Sequence, residues 1–196
     1  METSNDKKIA LIVAANDGNK ETVELLLAQG ANIESADDDG KTALIYAALG
    51  ERKERIEFLL SKSANIEAAD NNGRTALILA AAFSEDKEIV MFLLSKGADI
   101  EAADNDGKTA LIFVVDVFYE RKEIVELLLS KGANIESTDN NGKTALITAA
   151  SNGHKEIIEL LLDHGANIKA TDNYGNTAYT HATVKGHKDV FNLLSY

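Results

Sequence analysis

The sequence predicts an all-α protein, an α-solenoid of stacked helix–turn–helix repeats with short β-turn fingers. Three observations predict it. Gly40, Gly73, Gly107, Gly142 and Gly175 recur 33, 34, 35 and 33 residues apart, and periods of this size mark repeat architectures. Each stands in a recurring phrase: DDDGKTALI, DNNGRTALI, DNDGKTALI, DNNGKTALI and DNYGNTAYT. A second phrase recurs between them, as in FLLSKGADIEAA and LLLSKGANIEST.

The elements follow in order. The first segment, Ile9 to Ala36, fits the pattern without the Asp-x-x-Gly opening. In later units Asp-x-x-Gly predicts a tight turn, because glycine tolerates positive φ without a steric penalty. Thr42, Thr75, Thr109, Thr144 and Thr177 then stand where an N-cap belongs, with a hydroxyl to accept from free backbone N–H groups. A short alanine-rich helix follows, as in Ala43 to Ala48, whose small side chains let neighbours approach closely. The second helix, as in Lys155 to His164, carries Ile157, Ile158, Leu161 and Leu162 at helical spacing. Gly30, Gly97, Gly132 and Gly165 are expected to end these helices in the left-handed conformation. Ser63 takes that place once, at a cost of about 1 kcal/mol. Extra residues fall between the two helices near Ala82–Asp86 and Asp116–Arg121.

Such helices are marginal alone in water, so units must stack to bury a continuous core. With no linker or low-complexity stretch, we expect one domain over 1–196. Its units run approximately 1–36, 37–69, 70–103, 104–138, 139–171 and 172–196, with atypical end units acting as caps.

These residues resemble the ankyrin repeat over essentially the whole chain. The family phrase is D-x-x-G-x-T-P-L-H-x-A-A, then a helix, then L-L-x-x-G-A-D/N. The family's proline is replaced by Ala43, Ala76, Ala110, Ala145 and Ala178. Its histidine, which in the family hydrogen-bonds between hairpins, is replaced by Ile45, Ile78, Ile112 and Ile147, so apolar packing has to stand in for those bonds. Glu34, Glu67, Glu101, Glu136 and Lys169 occupy a place where the family often has an asparagine that an oxygenase hydroxylates in some members; no such modification is implied here. The resemblance implies a protein-binding module with a rigid concave surface, contacted at the turn tips and the exposed face of the first helices.

Composition narrows the function. The net charge is −12, which suits neither nucleic acid nor an anionic membrane. No apolar run spans a bilayer, METSNDKK is no signal peptide, and there are no cysteines. We expect a cytoplasmic monomer. His154 and His187 recur about one helix spacing apart, too far to share a zinc ion. His164 suits the end of a helix. Asp37, Asp70, Asp104, Asp139 and Asp172 recur for turn reasons, and the calcium-like D-N-D-G at Asp104 has Val115 where the twelfth-place glutamate belongs. No catalytic motif appears. We therefore expect no enzyme, no cofactor and no metal, with another protein as partner.

Two surfaces are candidates for that partner. The turn tips form a basic ladder, Lys41, Arg74, Lys108 and Lys143, with Tyr174 at the last tip. It reads either as a solvated ladder, self-neutralised by the row Glu34, Glu67, Glu101 and Glu136, or as a charge comb for an extended partner. Leu49, Phe83, Val117, Phe118 and Tyr119 lie at the turns between helices. They read either as an exposed apolar docking patch or as gap-filling core, with Phe118 the most buried. Two other readings stay open: an engineered or selected binding scaffold, and a structural or self-associating solenoid.

Overall fold

The computed structural model describes residues 4–117 and 121–195. The fold is all-α, built from helix pairs that pack in sequence. Residues 1–99 and 100–196 form two compact units. No helix is long and apolar enough, among the described residues, to cross a membrane.

The first unit contains α1 (Ser4–Asp17), α2 (Lys20–Ala28), α3 (Ala43–Leu49), α4 (Lys53–Ser61), α5 (Ala76–Phe83) and α6 (Lys87–Ser95). Each odd helix packs on the next, and α1, α3 and α5 stand side by side. The alanine-rich sequence permits this. In α5 every residue from Ala76 to Ala82 is buried, and only Phe83 at its end emerges. The second helices are amphipathic instead: α4 buries Ile56 and Leu59, and α6 buries Ile89, Val90, Phe92 and Leu93.

The second unit contains α7 (Ala110–Asp116), α8 (Lys122–Ser130), α9 (Ala145–Asn152), α10 (Lys155–Asp163), α11 (Ala178–Lys185), a 3-10 turn at Lys188–Val190 and α12 (Phe191–Leu194). Here α7, α9 and α11 form the inner row. Ile45, Ile78, Ile112 and Ile147, the isoleucines in place of the family's histidine, are fully buried. Burial of such a side chain contributes about 1.5–3 kcal/mol.

Local signals work as the residues dictate. Thr42, Thr75, Thr144 and Thr177 cap their helices by accepting from the N–H three residues on. Thr109 takes the N-cap place without a side-chain bond. Ser63 holds φ at 66° where the matching glycines sit near 90°. The inserted turn after α5 is held by Glu51, itself left-handed at φ 57°. Its carboxylate accepts from the Ser84 hydroxyl at 2.9 Å and from the N–H groups of Glu85 and Asp86.

The fingers share one bonding plan. In each, the aspartate Oδ1 accepts from the N–H groups two and four residues on, at 2.8–3.0 Å. Within the first unit, Asn71 ties its finger to the preceding one: its N–H donates to Asp39 O at 2.9 Å and its amide to Asp38 O at 2.8 Å. Within the second, Asn140 and Asn173 repeat both bonds. These bonds do the bridging that the buried isoleucines cannot. Glutamates add a second set of ties. Glu34 accepts from Asn65 N–H, Glu67 from Asp99, Glu101 from Asn134 and Glu136 from Asn167, all at 2.7–2.8 Å.

Candidate functional site

The expected basic ladder is mostly engaged. Lys41 Nζ lies 3.2 Å from Asp39, and Lys108 donates to Asp116 at 2.6 Å. Arg74 reaches the buried Asp70 through Nε at 2.8 Å and a second guanidinium nitrogen at 2.7 Å. Lys143 forms no ion pair among the described residues. Thus neighbouring aspartates neutralise Lys41, Arg74 and Lys108, while the glutamate row is spent on backbone N–H groups. Tyr174 is exposed at its finger tip. Of the expected apolar patch, Leu49 is half-buried and Phe83 is 46% exposed, both in the first unit. Val117 is half-buried in the second. Phe118 and Tyr119 lie outside the described residues.

The finger aspartates reveal a further pattern. Oδ1 is taken by the loop backbone, which leaves Oδ2 for a side chain. The residue nine places later, on the inner helix, faces it. Tyr46 donates its hydroxyl to Asp37 Oδ2, and His181 Nε2 lies 2.8 Å from Asp172 Oδ2. Asp70 faces Leu79 and receives Arg74 instead.

These contacts set the local electrostatics. Burial pushes the Asp172 carboxyl up, but the bonds from His181 and from the Asn176 and Tyr174 N–H groups outweigh it and hold it down at about 2. Burial likewise pushes the Asp37 and Asp70 carboxyls up, but the bonds from Tyr46 and Arg74, with those from the loop N–H groups, prevail and hold both below the ordinary range. The bond to Asp37, aided by burial, raises Tyr46 to about 12. At Lys108 burial works downward and the bond to Asp116 prevails upward.

The third finger has Phe113 at that place beside a half-exposed Asp104, and the fourth finger departs from the pattern at a buried aspartate. Nine residues after Asp139 stands Thr148, too short to reach. Asp139 is 7% exposed, its Oδ1 accepts from Asn141 and Lys143 N–H at 2.8 Å, and Oδ2 accepts no bond among the described residues. Thr148 is 4% exposed, and its buried hydroxyl has no hydrogen-bond partner among the described residues. Both line a polar cavity of about 200 Å³ with Lys108, Asp116, Asn141 and Lys143; Asp106 and Ser151 complete its wall. The ladder residues Lys108 and Lys143 are thereby brought together at one recess.

Repeated helix pairs joined by hydrogen-bonded fingers are what the sequence resemblance requires. The family model described as ankyrin repeats (3 copies) matches residues 1–70, 63–139 and 114–196. The chain belongs to the ankyrin repeat family. Compared with curated proteins, it finds no significant match.

Ankyrin repeats are in general protein–protein interaction modules, and this ankyrin chain departs from its own plan at Asp139 and Thr148. The sequence pattern marks Asp139 as a turn residue, while Thr148 carries no local signal of its own. The signal was present in the register: at the place of Tyr46 and His181, the fifth unit carries a side chain too short to reach the finger. Among the described residues, no group of three or more His, Cys, Asp or Glu side chains is arranged to hold a metal ion.

Proposed function

We propose that this ankyrin protein is a non-enzymatic recognition module that binds another protein through the fingers and inner-helix face of its second unit. Lys108, Asn141, Lys143 and Thr148 form the centre of the contact, and Tyr174 supplies an exposed aromatic anchor. The observation that carries this reading is the preorganisation of the fingers. Each is held by its aspartate, and Asn140 and Asn173 tie fingers of this unit together, so little conformational freedom remains to be lost on binding. The net charge of −12 supports a protein partner over nucleic acid or anionic membrane. We further infer a monomer that works in the cytoplasm.

A second surface is favoured by one observation. Phe83 is 46% exposed at the end of a helix otherwise buried, and with Leu49 it offers an apolar contact on the first unit.

Affinity capture with quantitative mass spectrometry, with a Lys108→Ala/Asn141→Ala/Lys143→Ala variant and a Leu49→Ser/Phe83→Ser variant run in parallel, tests the two. A protein held by the wild type and lost by the first folded variant supports the finger site. Loss only in the second moves the contact to Phe83. Equal retention by both removes both surfaces.

A further inference from the structure

We propose that the Asp139–Thr148 cavity is a subsite for a guanidinium group, presented as an arginine side chain of an extended partner segment. The inference rests on the protein-binding reading only for the arginine's source.

Asp139 is buried in the cavity wall and shares the loop bonds of its siblings, so Oδ2 is the oxygen its finger leaves over, as in theirs. At Asp37 that oxygen receives a phenol, at Asp172 an imidazole and at Asp70 a guanidinium. Three neighbours therefore establish what the position accepts: a hydrogen-bond donor on a planar group. At Asp139 no such donor comes from within the described chain. Asp104 also lacks one, but it is half-exposed and open to water. An acceptor left unpaired in a buried place costs its desolvation. The buried Thr148 hydroxyl, without a partner among the described residues, lies in the same wall.

The charge selects the ligand. Asp106, Asp116 and Asp139 outnumber Lys108 and Lys143 around the cavity, and Lys108 is already paired with Asp116. A cation is favoured. Among cations, a guanidinium presents several donors in one plane and can serve Asp139 and Thr148 together. Arg74 shows the geometry, using Nε and a terminal nitrogen on one carboxylate oxygen. Lys143, at the equivalent place after its glycine, makes no ion pair with Asp139. An ammonium has no counterpart of Nε on its stem.

Titration of the full chain with N-acetyl-L-argininamide, followed by amide NMR, tests the assignment. Saturable shifts are expected at Asn141, Lys143, Thr148 and Ser151, with N-acetyl-L-lysinamide binding about tenfold more weakly, the equivalent of one charge-assisted bond. Thr148→Tyr would supply the donor from inside and fill the cavity, so affinity should fall by about tenfold or more. Lys143→Glu lies on a finger tip and makes the recess more anionic, and affinity should rise about threefold. The assignment is overturned by the lack of saturable shifts, by equal binding of N-acetyl-L-glutamamide, or by unchanged affinity in Lys143→Glu. Probe binding without any captured protein supports the subsite and removes the protein source. A captured partner without probe binding removes the subsite and leaves the recognition module.

Discussion

Tyr46 and Asp37 stand nine residues apart, and the phenol donates to the carboxylate oxygen that the finger backbone leaves over. The bond ties finger to inner helix. Tyr46→Phe keeps the ring and removes the donor, so stability at neutral pH should fall by about 1 kcal/mol. The bond also makes stability sensitive to alkali. The folded pKa of Tyr46, about 12, lies above the unfolded value near 10, so its contribution is full below about 10 and is lost as pH rises toward about 12. Urea denaturation of both proteins at neutral and alkaline pH checks this. The gap between them should close in alkali.

His181 and Asp172 repeat the relationship at the other end of the chain with the opposite pH dependence. The folded pKa of Asp172 is depressed to about 2, against about 3.9 unfolded. Its contribution is present above that unfolded value and is lost as pH falls through about 2. His181→Phe removes the side-chain donor while the loop N–H groups remain. Stability should drop at neutral pH, and acid unfolding should lose part of its dependence on pH in this window. Circular dichroism across an acid titration reads both effects; superimposable curves for the two proteins would contradict them.

Ser63 carries a side chain at φ 66° where four sibling helices end on glycine. A left-handed non-glycine residue is strained by about 1–2 kcal/mol, and a Cβ at the matching Gly97 or Gly132 meets nothing within 4 Å. Ser63→Gly should therefore stabilise the protein by up to about 1 kcal/mol, since the greater freedom of glycine in the unfolded chain offsets part of the gain. A denaturation midpoint that stays put or falls would show that Ser63 is not strained.

Two glycines with similar φ separate backbone conformation from close packing. Gly142 sits at φ 77° and Gly165 at 86°. A Cβ on Gly142 would stand 2.8 Å from Asn173 N and within reach of its side-chain oxygen, whereas one on Gly165 meets nothing within 4 Å. Gly165→Ala should cost about 1 kcal/mol, from conformation alone. Gly142→Ala should cost clearly more, because it also displaces the asparagine that ties two fingers. Equal losses in thermal melts would contradict the close approach.

Much of this was legible because it is local. A threonine before an alanine-rich run, a glycine after a leucine-rich one and an Asp-x-x-Gly turn each act within a few residues, and four of the five threonine caps form their bond. Thr109 does not, and no local signal distinguishes it. The ties between repeats were less legible. Glu136 reaches Asn167 N–H, 31 residues on, and nothing near either residue announces it. The glutamate row therefore read as surface charge, although its carboxylates are hydrogen-bond acceptors for the next repeat. Asn140 and Asn173 likewise have the character of ordinary turn residues, and their partners lie 35 and 33 residues earlier on the neighbouring finger. The gap at Thr148 was readable only by comparing the same register place across repeats, once Tyr46 and His181 showed what that place does.

The central claim is that the second unit's fingers and inner-helix face receive a protein partner. Hydrogen–deuterium exchange of the chain with and without its captured partner tests it most directly. The account predicts new protection at Asn141–Lys143 and Thr148–Ser151. Protection confined to Leu49 and Phe83, with these segments unchanged, would contradict it.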